Sequence, residues 1–277
     1  MPVKLIAVDM DGTFLRSGMT YDRARFAAQY AQLQQAGVKF VVASGNQYAQ
    51  LQSFFPDIAR QIAFVAENGA YVVEAGQPLF VGAFVPEAVA RILAVLDDLP
   101  VRYTVCGKHS AYMHTRFADD YFASMQRYYH RLQRVADYRD IDDTVFKFAL
   151  DLSGDPATDF NDDQLQHFMA TLEQTLNASV KPVSSGHGSV DLIIPGVHKA
   201  SGLRRLQQRW GIADSEVLAF GDGGNDLEML AQAGFGYAMA NGSARVKQVA
   251  RYQAGSNNDD AVLDVIDLLL ARQAPFA

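Results

Sequence analysis

Val3-Lys4-Leu5-Ile6-Ala7-Val8-Asp9-Met10-Asp11-Gly12-Thr13 is the stretch on which the reading of the chain turns. Val3 to Val8 is aliphatic with hardly any alternation, the pattern of a short strand buried on both faces. Two carboxylates one residue apart at its end are costly unless something offsets their charge. A hard divalent cation is a natural partner, because Mg²⁺ prefers oxygen ligands and is held by one or two carboxylates plus substrate phosphate. Residues i and i+2 of an extended segment point the same way, so Asp9 and Asp11 can face one centre. Gly12 permits a sharp exit, and Thr13 can brace the turn through backbone. Taken alone, the motif is equally compatible with a solvated Asp-Gly turn.

Working outward, Gly221-Asp222-Gly223-Gly224-Asn225-Asp226 follows a second buried run, Val217-Leu218-Ala219-Phe220. Ser44-Gly45-Asn46 follows a third, Val38 to Ala43, and Lys199 precedes a helical stretch from Ala200 to Trp210. In open parallel sheets, ligands bind beyond the carboxyl ends of the strands, where such loops converge. A hydroxyl, a lysine and two acidic clusters form an inventory for handling a phosphate with a metal ion.

In this order the four motifs resemble those of the haloacid dehalogenase-like phosphatases: DxDGT, a Ser or Thr, a Lys, and GDxxND. Within that superfamily the chain is similar to the Cof-type subfamily of sugar phosphatases, and Ala66-Glu67-Asn68-Gly69-Ala70 belongs to the match. The resemblance implies an α/β fold, a Rossmann-like parallel sheet core with an inserted α+β cap domain that moves over a Mg²⁺ site. It implies Mg²⁺ at Asp9, Asp222 and the backbone carbonyl of Asp11. Phosphate contacts would come from Met10, Ser44, Gly45, Lys199 and Asn225, with Asp226 behind them. Family members often carry Arg where this chain has Asn46, so a cation contact from that position is lost. Phosphate-monoester hydrolysis needs accelerations of up to ~10²¹. A covalent aspartyl-phosphate splits the step. Asp9 is the expected nucleophile and Asp11 the general acid/base, with Lys199 the fixed positive charge. A lysine at a helix start opposes the dipole, so its placement wants a reason. Asp226 could also simply cap the following helix.

The middle of the chain changes character. Helical segments at Pro86–Leu96, Phe117–Leu132 and Asp162–Leu176 alternate with strand-like runs, and Phe146 to Leu152 alternates faces as antiparallel strands do. The expected layout is a discontinuous core, 1–82 and 188–277, with the cap at 83–187. Glu67 could orient Lys199 or line the pocket floor. His187 lies where cap rejoins core and could meet substrate, and Lys147 on a cap strand could meet phosphate or sugar. Tyr128-Tyr129-His130 reads as packing and surface inside a helix.

With 277 residues, 49% hydrophobic and 20% charged, the chain suits a folded protein with ample core. A net charge of −7 argues against nucleic acid as partner. It also means that an anionic substrate must meet a local cation site. The lone Cys106 allows no intrachain disulfide and fits core packing in a reducing compartment. No run approaches the ~20 apolar residues of a membrane span. The expected protein is a cytoplasmic phosphatase acting on a small phosphorylated sugar or metabolite, as a monomer or small homo-oligomer. A phosphomutase would use the same aspartyl-phosphate, and a non-catalytic sensor of phosphorylated ligands would gain nothing from a carboxylate aimed at an anion.

Overall fold

The computed structural model describes residues 2–153, 160–186 and 188–277, so His187 lies outside the described residues. In chain order the first elements are β1 (Leu5–Val8), α1 (Arg23–Gln35), β2 (Lys39–Ala43), α2 (Tyr48–Ser53), β3 (Ala63–Ala66), β4 (Tyr71–Glu74) and β5 (Gln77–Val81). Next come α3 (Pro86–Asp97), β6 (Arg102–Gly107), β7 (Ala111–His114), α4 (Asp119–Met125), β8 (Leu132–Val135), β9 (Val145–Asp151), α5 (Asp162–Thr175), β10 (Lys181–Gly186) and β11 (Ser189–Ile193). The chain closes with α6 (Lys199–Trp210), β12 (Val217–Gly221), α7 (Leu227–Gln232), β13 (Phe235–Ala238), α8 (Ala244–Val249), β14 (Tyr252–Gln253) and α9 (Ala261–Leu270).

Two sheets result. The eight-stranded sheet has the order β14-β13-β12-β1-β2-β3-β4-β5, parallel except where β4 and β5 run antiparallel at one edge. Strand β1 is central, paired in parallel with β12 on one side and β2 on the other. Its unbroken apolar run follows from this position. Ile6 and Val8 pack into the cluster with Phe26 and Ile266 of α1 and α9, while Leu5 and Ala7 join Leu203 and Leu206 of α6. The carboxyl ends of β1, β2 and β12 therefore lie side by side, and the three motifs that follow them meet there.

The six-stranded sheet has the order β10-β11-β9-β6-β7-β8 and its own apolar core, with Ile92, Leu96, Phe148, Leu150 and Leu172 among its members. It is antiparallel except for β7 with β8. Two sequence expectations change here. Strand β11 pairs with β9 and β10 in this sheet, although everything from 188 onward was expected in the core. The helix expected over Phe117–Leu132 ends at Met125. Arg131 accepts the Ala111 amide and draws the chain into β8, and buried Tyr129 packs on Cys106 and Ala111.

The chain crosses between layers through two connectors that meet at one turn, Glu67–Gly69. On the outward crossing, the Gly82 amide donates to the Ala70 carbonyl at 2.7 Å. On the return, the His198 carbonyl sits so close to Gly69 that a Cβ there would lie 2.4 Å from it, and Gly69 has φ +97. The layers are also clasped by amides: Gln47 donates to and accepts from the main chain of Arg131, at 3.0 and 2.9 Å. Gln50 donates to the Arg127 carbonyl at 3.0 Å. Among the described residues, no helix is long and apolar enough to cross a membrane.

Candidate active site

Asp9 closes β1, and its amide bonds the Phe220 carbonyl of β12 at 3.1 Å, which ties the first and last motifs together. Lys199 opens α6 and is almost wholly buried. Its ammonium bonds Asp9 Oδ1 at 2.6 Å and Asp226 Oδ1 at 2.7 Å. Those contacts supply the reason for a lysine at a helix start. Burial alone would lower its pKa, but Asp226 and Asp9 raise it above the ordinary lysine value, so the charge is fixed.

Both oxygens of Asp226 are already engaged. Its Oδ1 takes Lys199, and its Oδ2 accepts the amides of Asp222 and Gly223 at 3.0 and 2.9 Å. It shapes the loop and holds the lysine, and its side chain makes no cap to α7. Asp222 is different. Thr13 donates its hydroxyl to Asp222 Oδ1 at 2.7 Å, a cross-loop bond rather than the local backbone brace expected. Gly12, at φ +73, passes so close that a Cβ would stand 2.4 Å from Asp222 Oδ2. Only glycine fits between the two motifs.

Asp9, Asp222 and Asp226 offer carboxylate oxygens all within 4.8 Å of one another. One lysine cannot balance three carboxylates. Burial, and then repulsion by Asp226, pushes Asp222 up to about 6. Burial raises Asp9 well above the carboxylate range against the pull of Lys199, with Asp226 and Asp222 adding to the rise. The Asp9 and Asp222 side chains are also hydrogen-bonded to each other, and a carboxylate pair held this close fits a hard dication such as Mg²⁺.

Around this centre, Ser44 Oγ accepts the Asn46 amide at 3.1 Å and keeps its own hydrogen to donate. Asn46 donates to Asp11 Oδ2 at 2.5 Å. The residue whose role was open in the sequence therefore fixes the Asp11 carboxylate. The Met10 side chain is in the core, so only its main chain can reach a ligand. Asn225 does not point at Asp9 here; it donates to Asn68 Oδ1 at 2.9 Å.

Asn68 leads into a second polar group that sequence reasoning did not assemble. Asn68 donates to Asp191 Oδ2 at 2.6 Å, and Lys147 bonds the same oxygen at 2.9 Å. A Cβ on Gly45 would lie 3.1 Å from Asp191 Oδ2, so this pair stands against the Ser44 loop. Burial lowers Lys147, but Asp191, Cys106 and Glu67 outweigh it and raise its pKa. Glu67 does not orient Lys199; burial pushes it to about 7, with Lys147 opposing. Asp191 had one visible signal, a carboxylate inside the run Val190-Asp191-Leu192, where buried charges demand partners.

A family model for haloacid dehalogenase-like hydrolases matches residues 6–266, and the chain belongs to that family. Its place there is among the Cof-type phosphatases. It is 51% identical to the 5-amino-6-(5-phospho-D-ribitylamino)uracil phosphatase of Escherichia coli, over 100% of this chain and 99% of that protein. The pyridoxal phosphate phosphatase of the same organism is 26% identical over 96% of this chain and 98% of the other. Among solved structures, a protein of Streptococcus mutans matches with a TM-score of 0.90 at 35% identity, covering 97% of this chain and 99% of that one.

Proposed function

We propose that this phosphatase is Mg²⁺-dependent and hydrolyses phosphate monoesters of sugar-like or polyol metabolites through an aspartyl-phosphate on Asp9. The observation that carries the reading is the charge imbalance at Lys199: one ammonium faces three carboxylates whose oxygens lie within 4.8 Å of one another. Asp9 and Asp222, with the Asp11 carbonyl, would hold the cation. When bound, Mg²⁺ supplies positive charge that screens the anionic nucleophile from the anionic substrate.

Asp9 attacks phosphorus through the oxygen that Lys199 does not hold. The phosphorus–leaving-group bond breaks, and Asp11 donates a proton to the departing alkoxide. Asp11 then takes a proton from the water that attacks the phospho-aspartate, which releases inorganic phosphate and restores Asp9. Asn46 keeps Asp11 aimed in both half-reactions. The Ser44 hydroxyl, the Gly45 amide and Lys199 would bind the phosphoryl oxygens, whose charge is spread in the transition state. The six-stranded layer would act as the cap, closing over the site through the Gln47 and Gln50 clasps.

The similarity to a ribitylaminouracil phosphatase places phosphorylated ribityl compounds first among substrates to try. The test is phosphate release across a panel of sugar phosphates, pyridoxal phosphate and 5-amino-6-(5-phospho-D-ribitylamino)uracil, with and without Mg²⁺. Release that needs Mg²⁺ and favours polyol esters is expected; activity undiminished in excess chelator would overturn the metal assignment.

A further inference from the structure

A cavity of about 170 Å³ lies between the Glu67 turn and the six-stranded layer. Tyr48, Glu67 and Tyr71 line it from one layer, and Lys108, Arg131 and Phe146 from the other. Resting on the phosphatase reading above, we propose that this cavity binds the far end of the leaving group. Its ligand is a planar polar ring carrying N–H donors, joined to the phosphate by a hydroxylated chain of about five carbons.

Four observations converge. Glu67 is 2% exposed, yet its Oε2 has no hydrogen-bond partner among the described residues. A buried carboxylate oxygen without a donor is costly, and a ligand N–H in the cavity relieves that cost. Second, Glu67 and Asn68 both sit in the left-handed region, at φ +51 and +53, which non-glycine residues avoid. The Asn46 and Ser44 carbonyls hold them there by accepting the Glu67 and Asn68 amides. Strain of this kind gathers where a side chain must be aimed.

Third, size and walls suit one ring. A cavity of about 150 Å³ accommodates a benzene. Tyr71 stacks on Phe146 at 5.5 Å and 21°, with Tyr48 edge-on to Tyr71, so three packed aromatic rings already line the cavity. Lys108 and Arg131 add donors for ring carbonyls. Fourth, the spacing fits. Asp9 and Glu67 follow β1 and β3, two strand positions apart, which is about 10 Å. An extended five-carbon phosphoester spans such a gap, and Asp191, bonded to Lys147, stands against the loop that follows β2, the strand between β1 and β3. Paired charges suit hydroxyls.

The test compares 5-amino-6-(5-phospho-D-ribitylamino)uracil with ribitol 5-phosphate, which lacks the ring, in wild type, Glu67→Leu and Glu67→Gln. Glu67→Leu is expected to lower kcat/KM for the ring-bearing ester by about tenfold, mostly through KM, as for one lost hydrogen bond. Ribitol 5-phosphate should change less than about twofold in the same variant, which also proves that the variant is folded. Glu67→Gln, which keeps an acceptor, should recover part of the loss. Equilibrium binding of the dephosphorylated ribitylaminouracil, which needs no metal, should weaken by a similar factor in Glu67→Leu. Equal loss on both esters, or unchanged binding, overturns the assignment. If neither ester is hydrolysed but binding still depends on Glu67, the site stands and the phosphatase reading falls.

Discussion

Lys199 and Lys147 are both buried and both raised in pKa by carboxylates, yet their surroundings balance charge differently. Around Lys199 stand Asp9, Asp222 and Asp226, with the Thr13 hydroxyl donating to Asp222. Around Lys147 stand Asp191, held also by Asn68, and Glu67, which burial pushes up to about 7. The first cluster sets three carboxylates against one lysine; the second sets two. A lysine–carboxylate contact therefore does not by itself mark a reaction centre. The surplus of carboxylates around it does.

The largest expected effect separates the two clusters outright. Asp9→Asn should abolish turnover, by roughly 10⁴-fold or more, as for loss of a covalent nucleophile. Asp11→Asn should behave otherwise with p-nitrophenyl phosphate, whose leaving group needs little protonation. Phospho-enzyme should then accumulate, because the second step lacks its base, and intact-mass spectrometry after acid quench reads it. A phosphoryl group on the Asp9→Asn protein would reverse these roles.

Next is metal dependence. Wild-type protein should gain thermal stability on adding Mg²⁺, by mass action on the folded state. Asp222→Asn should lose most of that gain and most of its activity. In chelator, however, the same variant should melt no lower than wild type, because it relieves repulsion from Asp9 and Asp226. A variant less stable than wild type without metal would mean that Thr13 and Asp222 serve the fold rather than the cation.

The comparison sharpens with the lysines themselves. Lys199→Ala should cost on the order of 10²-fold or more in kcat/KM, the scale of one preorganised charge. Arg at 199 should not fully rescue it, since a planar guanidinium differs in reach. Lys147→Met should cost about tenfold, expressed in KM for hydroxylated substrates. Equal losses would erase the distinction drawn here.

The smallest effect is on stability alone. The folded-state pKa of Glu67, about 7, lies above its ordinary 4.5. The folded protein thus binds this proton more tightly than the unfolded chain, so stability falls as pH rises from about 4.5 to 7. The loss is at most about 3 kcal/mol and complete above pH 7. Glu67→Gln should flatten that slope, matching wild type at pH 4 and exceeding it at pH 8 in denaturant titrations. An unchanged slope would place a donor on Glu67.

The first cluster was legible because its chemistry is written locally. Asp9 and Asp11 follow an apolar run, and Asp222 to Asp226 follow another; buried parallel strands and their terminal loops leave that mark in any sequence. Lys199 was legible through its conflict with the helix dipole. The second cluster was not, because its parts are joined only by strand order. Lys147 and Asp191 meet since β9 and β11 are neighbours, a pairing that antiparallel alternation permits but does not specify. The motif return near Val190 also drew β11 into the wrong sheet. Asn46 was noticed only for the cation it lacks, while its bond to Asp11 depends on the distance between two loops.

The turn Glu67–Gly69 holds one further lesson. It accepts the outgoing connector at Ala70, abuts the returning one at Gly69, and carries Glu67 and Asn68 toward the cap. Substrate preference and the joining of the layers thus fall on four consecutive residues, Glu67 and Asn68 for the first, Gly69 and Ala70 for the second. Lineages that shift substrate range can change Glu67 but not Gly69, where any side chain would strike the returning connector. Drift in specificity should also accumulate on the opposite wall, at exposed positions such as Lys108 and Arg131, where a change touches the ligand and leaves the connectors alone.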